Sequence, residues 1–224
     1  MVFLIGMSQV FTHCELLNTT VICRSNKRAN LYNQQIRIKI RWQENEISTG
    51  DMLMVVRNNY HWLDDNSKAG FIANGDIIEI LKIRETIERY GFRFAKASIK
   101  MIDYPKEKAL DVILLLDTLT SENPSMTYNE YNKLYKEVSL DYSEEKEKNK
   151  KIKKDPFFNA LQIKFAYAIT CHKSQGGQWE NVFIDLGYFN ENMLNKSYFR
   201  WLYTAFTRAS KRLYLVNFNS NFFT

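Results

Sequence analysis

The segment 165–185 constrains this chain most. Phe165-Ala166-Tyr167-Ala168-Ile169-Thr170 and Asn181-Val182-Phe183-Ile184-Asp185 are short apolar runs flanking Cys171-His172-Lys173-Ser174-Gln175-Gly176-Gly177-Gln178-Trp179-Glu180. Neither run has a helical period, so both read as buried strands. The polar segment offers a His, a Lys, two hydroxyls (with Thr170), two amides and a Gly pair. Glycines let a backbone approach a ligand closely, and N–H groups at a turn or helix start bind phosphate oxygens. The pattern predicts a phosphate-handling loop at the end of a buried strand; the plainer alternative is a hairpin with a polar loop.

The chain has 224 residues, 45% hydrophobic and 14% aromatic, enough for one large domain or two small ones with a real core. A net charge of +6 suits nucleic acid or another anionic surface without proving either. Cys14, Cys23 and Cys171 are too widely spaced for a disulfide framework or a zinc site, which implies a reducing, cytoplasmic setting. The only histidines are His13, His61 and His172, which disfavours a histidine-rich metal site. No apolar run reaches the roughly 18 residues of a membrane span, so no membrane association is expected. Met1-Val2-Phe3-Leu4-Ile5-Gly6 lacks the basic flank of a signal peptide.

Thr20-Val21-Ile22-Cys23 is a β-branched run, and a helix is expected from about Lys27, with Ala29, Ile36 and Ile40 on one face. Strand, polar turn and helix form half of a βαβ unit. Arg24 and Asn26 then sit where open α/β sheets bind ligands, unless Ser25 or Asn26 merely caps the helix. From Ile47 the character changes. The runs 52–56, 77–81, 92–102 and 110–116 are short strands between turn residues, as in a small antiparallel barrel, with a bulge expected between Phe94 and Ala97. Arg57-Asn58-Asn59-Tyr60-His61-Trp62 mixes a cation, amides and aromatics, the chemistry that stacks on bases and grips phosphates, or else packs on its own barrel. Thr127-Tyr128-Asn129-Glu130 matches a capping box ahead of a stripe of Tyr131, Leu134, Tyr135 and Val138. Residues 144–154 are almost wholly charged, a solvated helix or linker, or alternatively a DNA-tracking surface. A last helix is expected from Lys196 to Lys211-Arg212, then a buried strand Leu213-Tyr214-Leu215-Val216.

Thr170-Cys171-His172-Lys173-Ser174-Gln175-Gly176 after a strand, and Leu202-Tyr203-Thr204-Ala205-Phe206-Thr207-Arg208-Ala209 before one, together resemble motifs V and VI of superfamily-1 DNA helicases. The closest likeness is to the RecD-like branch, the exodeoxyribonuclease V alpha-subunit type. The stretch 20–30 is similar to the first strand and helix of that family's second RecA-like domain. Asn58-Asn59-Tyr60 and Asn74-Gly75-Asp76 are similar to the branch's inserted SH3-like barrel.

The resemblance implies an α/β fold: a RecA-like parallel sheet with helices over 1–47 and 156–224, interrupted over 48–155 by an SH3-like barrel and a helical segment. It implies the C-terminal half of an ATP-dependent DNA helicase, translocating 5′→3′. Arg208 would be the catalytic arginine reaching the γ-phosphate, which agrees with the physics of phosphoryl transfer. Gly176, Gln178 and Arg24 would line the nucleotide, with Gln178 in place of a more usual glutamate. Thr170, His172, Lys173, Ser174, Asn58, Asn59 and Tyr60 would contact single-stranded DNA; Tyr203 and Thr207 are weaker carry-overs. No Gly-x-x-x-x-Gly-Lys-Ser/Thr occurs, Asp64-Asp65 follows no buried strand, and Asp185 reads as packing or a turn. ATP and Mg²⁺ are therefore expected only in a longer protein whose first RecA-like domain is the partner of this one, and neither is held by this part alone. The alternatives are a non-catalytic nucleic-acid-binding module and a phosphate-binding α/β enzyme of another class.

Overall fold

The structure, a computed structural model, describes residues 16–64, 67–190, 193–219 and 222. Met1 to Gly6, His13, Cys14 and Asp65 lie outside them. The chain forms two compact units, Met1–Glu44 with Ala166–Thr224, and Asn45–Phe165. No helix among the described residues is long and apolar enough to cross a membrane.

The first unit is built on four parallel strands: β1 (Thr19–Cys23), β7 (Ala168–Thr170), β8 (Trp179–Asp185) and β9 (Ala209–Val216), in the order β7-β1-β8-β9. Parallel strands in this register bring like residues to one face. Thr20 pairs with Val182 and Ile22 with Ile184. Ile22, Val182 and Ile184 form a cluster with Cys171 and with Ala205 of helix α5 (Lys196–Phe206). Each such fully buried side chain contributes about 1.5–3 kcal/mol. The opposite face carries Phe183 and Asp185. There Phe183 stacks on Tyr214 at 4.3 Å, and helix α1 (Asn26–Lys39) sends Arg28 to Asp185. Ser25 is the N-cap of α1, its hydroxyl accepting from the Arg28 amide. Asn33 closes α1 onto the backbone of Ala168, donating to its carbonyl at 2.9 Å and accepting from its amide at 2.7 Å.

The second unit is a closed barrel of β2 (Met52–Val55), β3 (Ile77–Arg89), β4 (Phe92–Met101), β5 (Leu110–Leu115) and β6 (Leu161–Phe165). All pairings are antiparallel except β5–β6. Between β5 and β6 lie α2 (Asp117–Thr120), α3 (Tyr128–Asp141) and α4 (Lys148–Lys154). Thr127 and Glu130 complete the capping box of α3. Leu134, Val138 and Ile152 bury against Phe92, Phe94, Ile113, Leu115 and Phe157.

The sequence expectations need correcting at four points. The apolar run ending at Thr170 feeds both units: Phe165 ends the barrel strand β6, and β7 begins at Ala168 in the sheet. Residues 161–165 therefore belong to the barrel, whose fifth strand the alternation signal did not count. The bulges lie on β3, at Leu81 and Arg84, while β4 runs without interruption. The charged run is a solvated short helix, as expected, anchored by Ile152, which has no exposed surface. Helix α5 stops at Phe206, so Lys211 and Arg212 sit in β9. That strand is an edge, with Leu213 39% and Leu215 37% exposed, so it is not a buried strand.

Candidate functional site

The segment between β7 and β8 is neither a hairpin nor a loop confined to one end of the sheet. Both strands run parallel to β1, so the chain must return from the carboxyl end of the sheet to its amino end. It does so in residues 171–178, coiled into helical turns by bonds from the amides of Ser174 to Thr170 O, Gln175 to His172 O and Gly177 to Ser174 O. The inner side of this crossover is pinned. Ser174 is fully buried and its hydroxyl donates to Cys171 O at 2.8 Å, and Cys171 Sγ lies 3.5 Å from Trp201 O. The outer side shows His172, Gln175, Gly176 and Gln178 to solvent. The six steps of β8 separate the two edges by about 20 Å.

At the amino edge the crossover meets Arg208. The turn after α5 carries this residue, and its carbonyl accepts from the Trp179 amide at 2.9 Å. The guanidinium donates through Nη1 to Gly177 O, through Nε to Thr204 O and through Nη2 to Thr207 Oγ1, each at 3.1 Å. Thr207 Oγ1 lies 3.0 Å from Tyr203 O and 3.1 Å from Thr204 O and donates to one of them, which orients its lone pair toward Arg208. All three acceptors of Arg208 are neutral oxygens. The group is thus aimed and half-buried, but no carboxylate among the described residues neutralises it. Gly176 has φ +85°, the left-handed region, with open space around its α-carbon. Gly177 is needed for a different reason: a β-carbon there would lie 2.5 Å from the Trp179 ring. Motif reasoning singled out Gly176 and missed Gly177, whose need arises only from packing.

At the carboxyl edge are Thr170, the last residue of β7, and Arg24, one residue beyond β1. Arg24 is exposed. Its guanidinium lies over the rings of Tyr198 (5.2 Å) and Trp201 (5.5 Å) of α5, a cation–π contact that holds it against that helix. Arg24 was expected beside Gly176 and Gln178, but the register puts it at the far edge. Lys173, in the first turn of the crossover, is half-buried, and burial pushes its ammonium pKa down. Ser174 faces inward and cannot reach a strand of DNA. Asp185 is 1% exposed. It accepts from Arg28 Nε (2.7 Å) and Nη2 (2.6 Å), from Asn217 Nδ2 (2.6 Å) and from the Gly187 amide (3.3 Å). This pair links α1 to the sheet across 157 positions, and no local signal could have found it.

In the barrel unit, Asn58 and Tyr60 are exposed, Tyr60 by 72%, with its ring stacked on Phe71 at 4.8 Å. Asn59 is used internally. It donates to Asn159 O at 2.8 Å, accepts from the His61 amide at 3.0 Å and bridges to Ile72. Its side chain therefore has a packing task, and so does that of Asn58, whose Oδ1 accepts from the Asn74 amide at 2.8 Å.

The model of the UvrD-like helicase C-terminal domain family matches residues 165–216. Over 62 residues the chain is 40% identical to uncharacterized protein MJ1519 of Methanocaldococcus jannaschii, covering 28% of this chain and 5% of that protein. Among solved structures it is similar to the Pif1 helicase from Candida albicans (14% identity, 91% of this chain, 46% of that one, TM-score 0.45). It is also similar to a Bacteroides Pif1 helicase in complex with ADP-AlF3 and ssDNA (11% identity, 92% and 43%, TM-score 0.44). The chain spans less than half the length of those solved chains. The stretch 165–216, which holds Thr170, the crossover and Arg208, is thus similar to the C-terminal domain of UvrD-like helicases.

Proposed function

We propose that this chain supplies the second RecA-like domain, with an inserted SH3-like barrel, of an ATP-dependent superfamily-1 DNA helicase of the RecD-like, 5′→3′ kind. The carrying observation is Arg208. It is held on three neutral oxygens, lacks a carboxylate partner among the described residues, and is fastened to the crossover through Gly177 O. A guanidinium arranged this way stabilises anionic charge that arrives from outside its own domain, as phosphoryl transfer requires. On this reading Gly176 and Gln178 border the nucleotide beside Arg208. Thr170, His172, Lys173 and, by its position, Arg24 face single-stranded DNA at the other edge. Within the barrel unit, Asn58 and Tyr60 are the residues expected to touch it. Mg²⁺ and the phosphate-cradling lysine would come from a first RecA-like domain elsewhere in the protein. The crossover is one short covalent link between the two edges, so a shift at either end is felt at the other.

In the full-length protein, Arg208→Ala is expected to lower DNA-stimulated ATP hydrolysis by on the order of 10³-fold while leaving single-strand affinity within about 3-fold. Equal turnover in variant and parent would refute the assignment. The 224-residue chain by itself is expected to hydrolyse no ATP. The second reading, a non-catalytic nucleic-acid-binding module, draws on the exposed Tyr60 of the barrel. It is favoured if the full-length protein has no turnover to lose.

A further inference from the structure

Two of the three acceptors of Arg208 belong to the segment that carries it: Thr204 O in the last turn of α5 and Thr207 Oγ1 next door. They move with Arg208 and cannot fix its direction against the rest of the domain. The third, Gly177 O at 3.1 Å, comes from the crossover. Whatever holds that carbonyl in place therefore aims the guanidinium.

Gly177 has no side chain with which to anchor itself. Its amide donates to Ser174 O at 3.1 Å, inside the crossover. The side of Gly177 that a side chain would occupy is filled by the indole of Trp179, whose Cη2, Cζ3 and Cζ2 would lie 2.5, 2.9 and 3.1 Å from an added β-carbon. The indole is in turn seated on Ile22, Cys171, Val182, Ile184 and Ala205, the packed face of the sheet. Close packing of this kind transmits position, because a shift of either surface opens a void or makes a clash. Trp179 also holds the main chain of Arg208. Its amide donates to Arg208 O at 2.9 Å, its carbonyl accepts from Ser210 Oγ at 3.2 Å, and it pairs with Ala209 in the β8–β9 ladder. One residue thus grips Arg208 twice: by backbone at the root and, through Gly177, at the guanidinium end.

We propose that Trp179 is a positioning residue for Arg208: its indole, without itself contacting the reacting phosphate, sets where the Gly177 carbonyl lies and so where the guanidinium points. The inference rests on the reading of Arg208 as the group that meets the transferred phosphoryl. It divides the labour within one residue. The backbone bonds survive a change of side chain at 179, whereas the aim depends on the ring.

The test is DNA-stimulated ATP hydrolysis by the full-length protein, well below its melting temperature. Misplacing a reacting group by about 1 Å costs on the order of 10²-fold in rate, and loss of the ring in Trp179→Leu frees the carbonyl by less than that, so kcat is expected to fall on the order of 10-fold. KM for ATP and affinity for an oligothymidylate are expected to stay within about 3-fold. Two readouts separate aim from mere stability. Trp179→Leu added to Arg208→Ala is expected to cost no further turnover, because no guanidinium is left to aim. A phenyl ring ends short of the Cη2 position, and the methyl that Gly177→Ala adds would occupy that space. Gly177→Ala combined with Trp179→Phe is therefore expected to turn over at least about 3-fold faster than the slower of the two single variants.

Parental kcat in Trp179→Leu alongside a disabled Arg208→Ala overturns this inference and leaves the reading of Arg208 standing. A loss of the same size on the Arg208→Ala background overturns it too, since a packing defect is blind to Arg208, and so does a combined variant no faster than its slower member. Parental turnover in Arg208→Ala, or a full-length protein without turnover, removes the reading of Arg208 and this inference with it. If Trp179→Leu does not fold, Trp179→Phe and its combination with Gly177→Ala carry the same test.

Discussion

Replacing Gly177 by Ala isolates a purely steric demand. The new β-carbon would lie 2.5 Å from Cη2, 2.9 Å from Cζ3 and 3.1 Å from Cζ2 of Trp179. Ordinary contact begins near 3.4 Å, so the indole must retreat by roughly 0.9 Å. It has little room, because Trp179 packs on the cluster of Ile22, Val182 and Ile184. Overpacking of this kind costs about 2 kcal/mol, the middle of its usual range. Gly176 is the built-in control. Its φ of +85° strains any other residue, yet no atom lies within 4 Å of an added β-carbon. Backbone strain alone costs about 1 kcal/mol. At about 2–4 °C per kcal/mol for a protein of this size, Gly177→Ala is expected to lower the melting temperature by about 4–8 °C, and Gly176→Ala by about 2–4 °C. Thermal unfolding followed by circular dichroism reads both. The near-ultraviolet signal should change for Gly177→Ala, where an indole moves, and hold for Gly176→Ala. If Gly176→Ala proves the more damaging, or the near-ultraviolet spectrum of Gly177→Ala matches the parent, the packing argument is wrong.

Two further outcomes follow from buried chemistry. Asp185→Asn turns one of two acceptor oxygens into a donor facing other donors and should cost about 2–3 kcal/mol, reduced from the fully buried case because the Arg28 side chain is 41% exposed. Arg28→Gln leaves the carboxylate short of a partner, so in denaturant titrations the double variant should lose at least about 1 kcal/mol less than the sum of the singles; strict additivity would refute the pairing. Burial raises the thiol pKa of both Cys23 and Cys171, with the Asp185 carboxylate pushing Cys23 up further. Each unit of increase removes about nine-tenths of the reactive thiolate. Both should therefore alkylate with iodoacetamide at pH 8 at least about tenfold more slowly in the native protein than in urea, as read by peptide mass mapping, and equal rates would show the sites open.

Features carried by local chemistry were legible in the sequence. The Thr127–Glu130 capping box, the β-branched strand at 19–23 and the start of the last helix near Lys196 depend on residues within a few positions of one another. Features set by distant partners were not. Leu161–Phe165 has the composition of any buried strand, and only its pairing with β2 and β5 assigns it to the barrel. Leu213 and Leu215 read as buried because apolar runs usually are, but β9 ends the sheet and nothing in its composition says so. Within the site, Arg208 and Gly176 could be named from their motif, whereas the need for Gly177 comes only from its packing on Trp179. The placement of Arg24 at the opposite edge required the register of β1 against β8, which no spacing rule contains. Ser174 and Asn59 illustrate a related difficulty: hydroxyl and amide side chains look alike in a sequence whether they face solvent or repair a buried backbone.

The barrel's path has a consequence for how such a chain is assembled over evolutionary time. Its first strand begins at Met52 and its last ends at Phe165, and Leu53 pairs directly with Phe165. Entry and exit therefore stand on neighbouring strands, a few ångströms apart. A module whose two ends meet at one doorway can be grafted, enlarged or trimmed without rerouting the chain that hosts it, since the host has only a narrow gap to bridge.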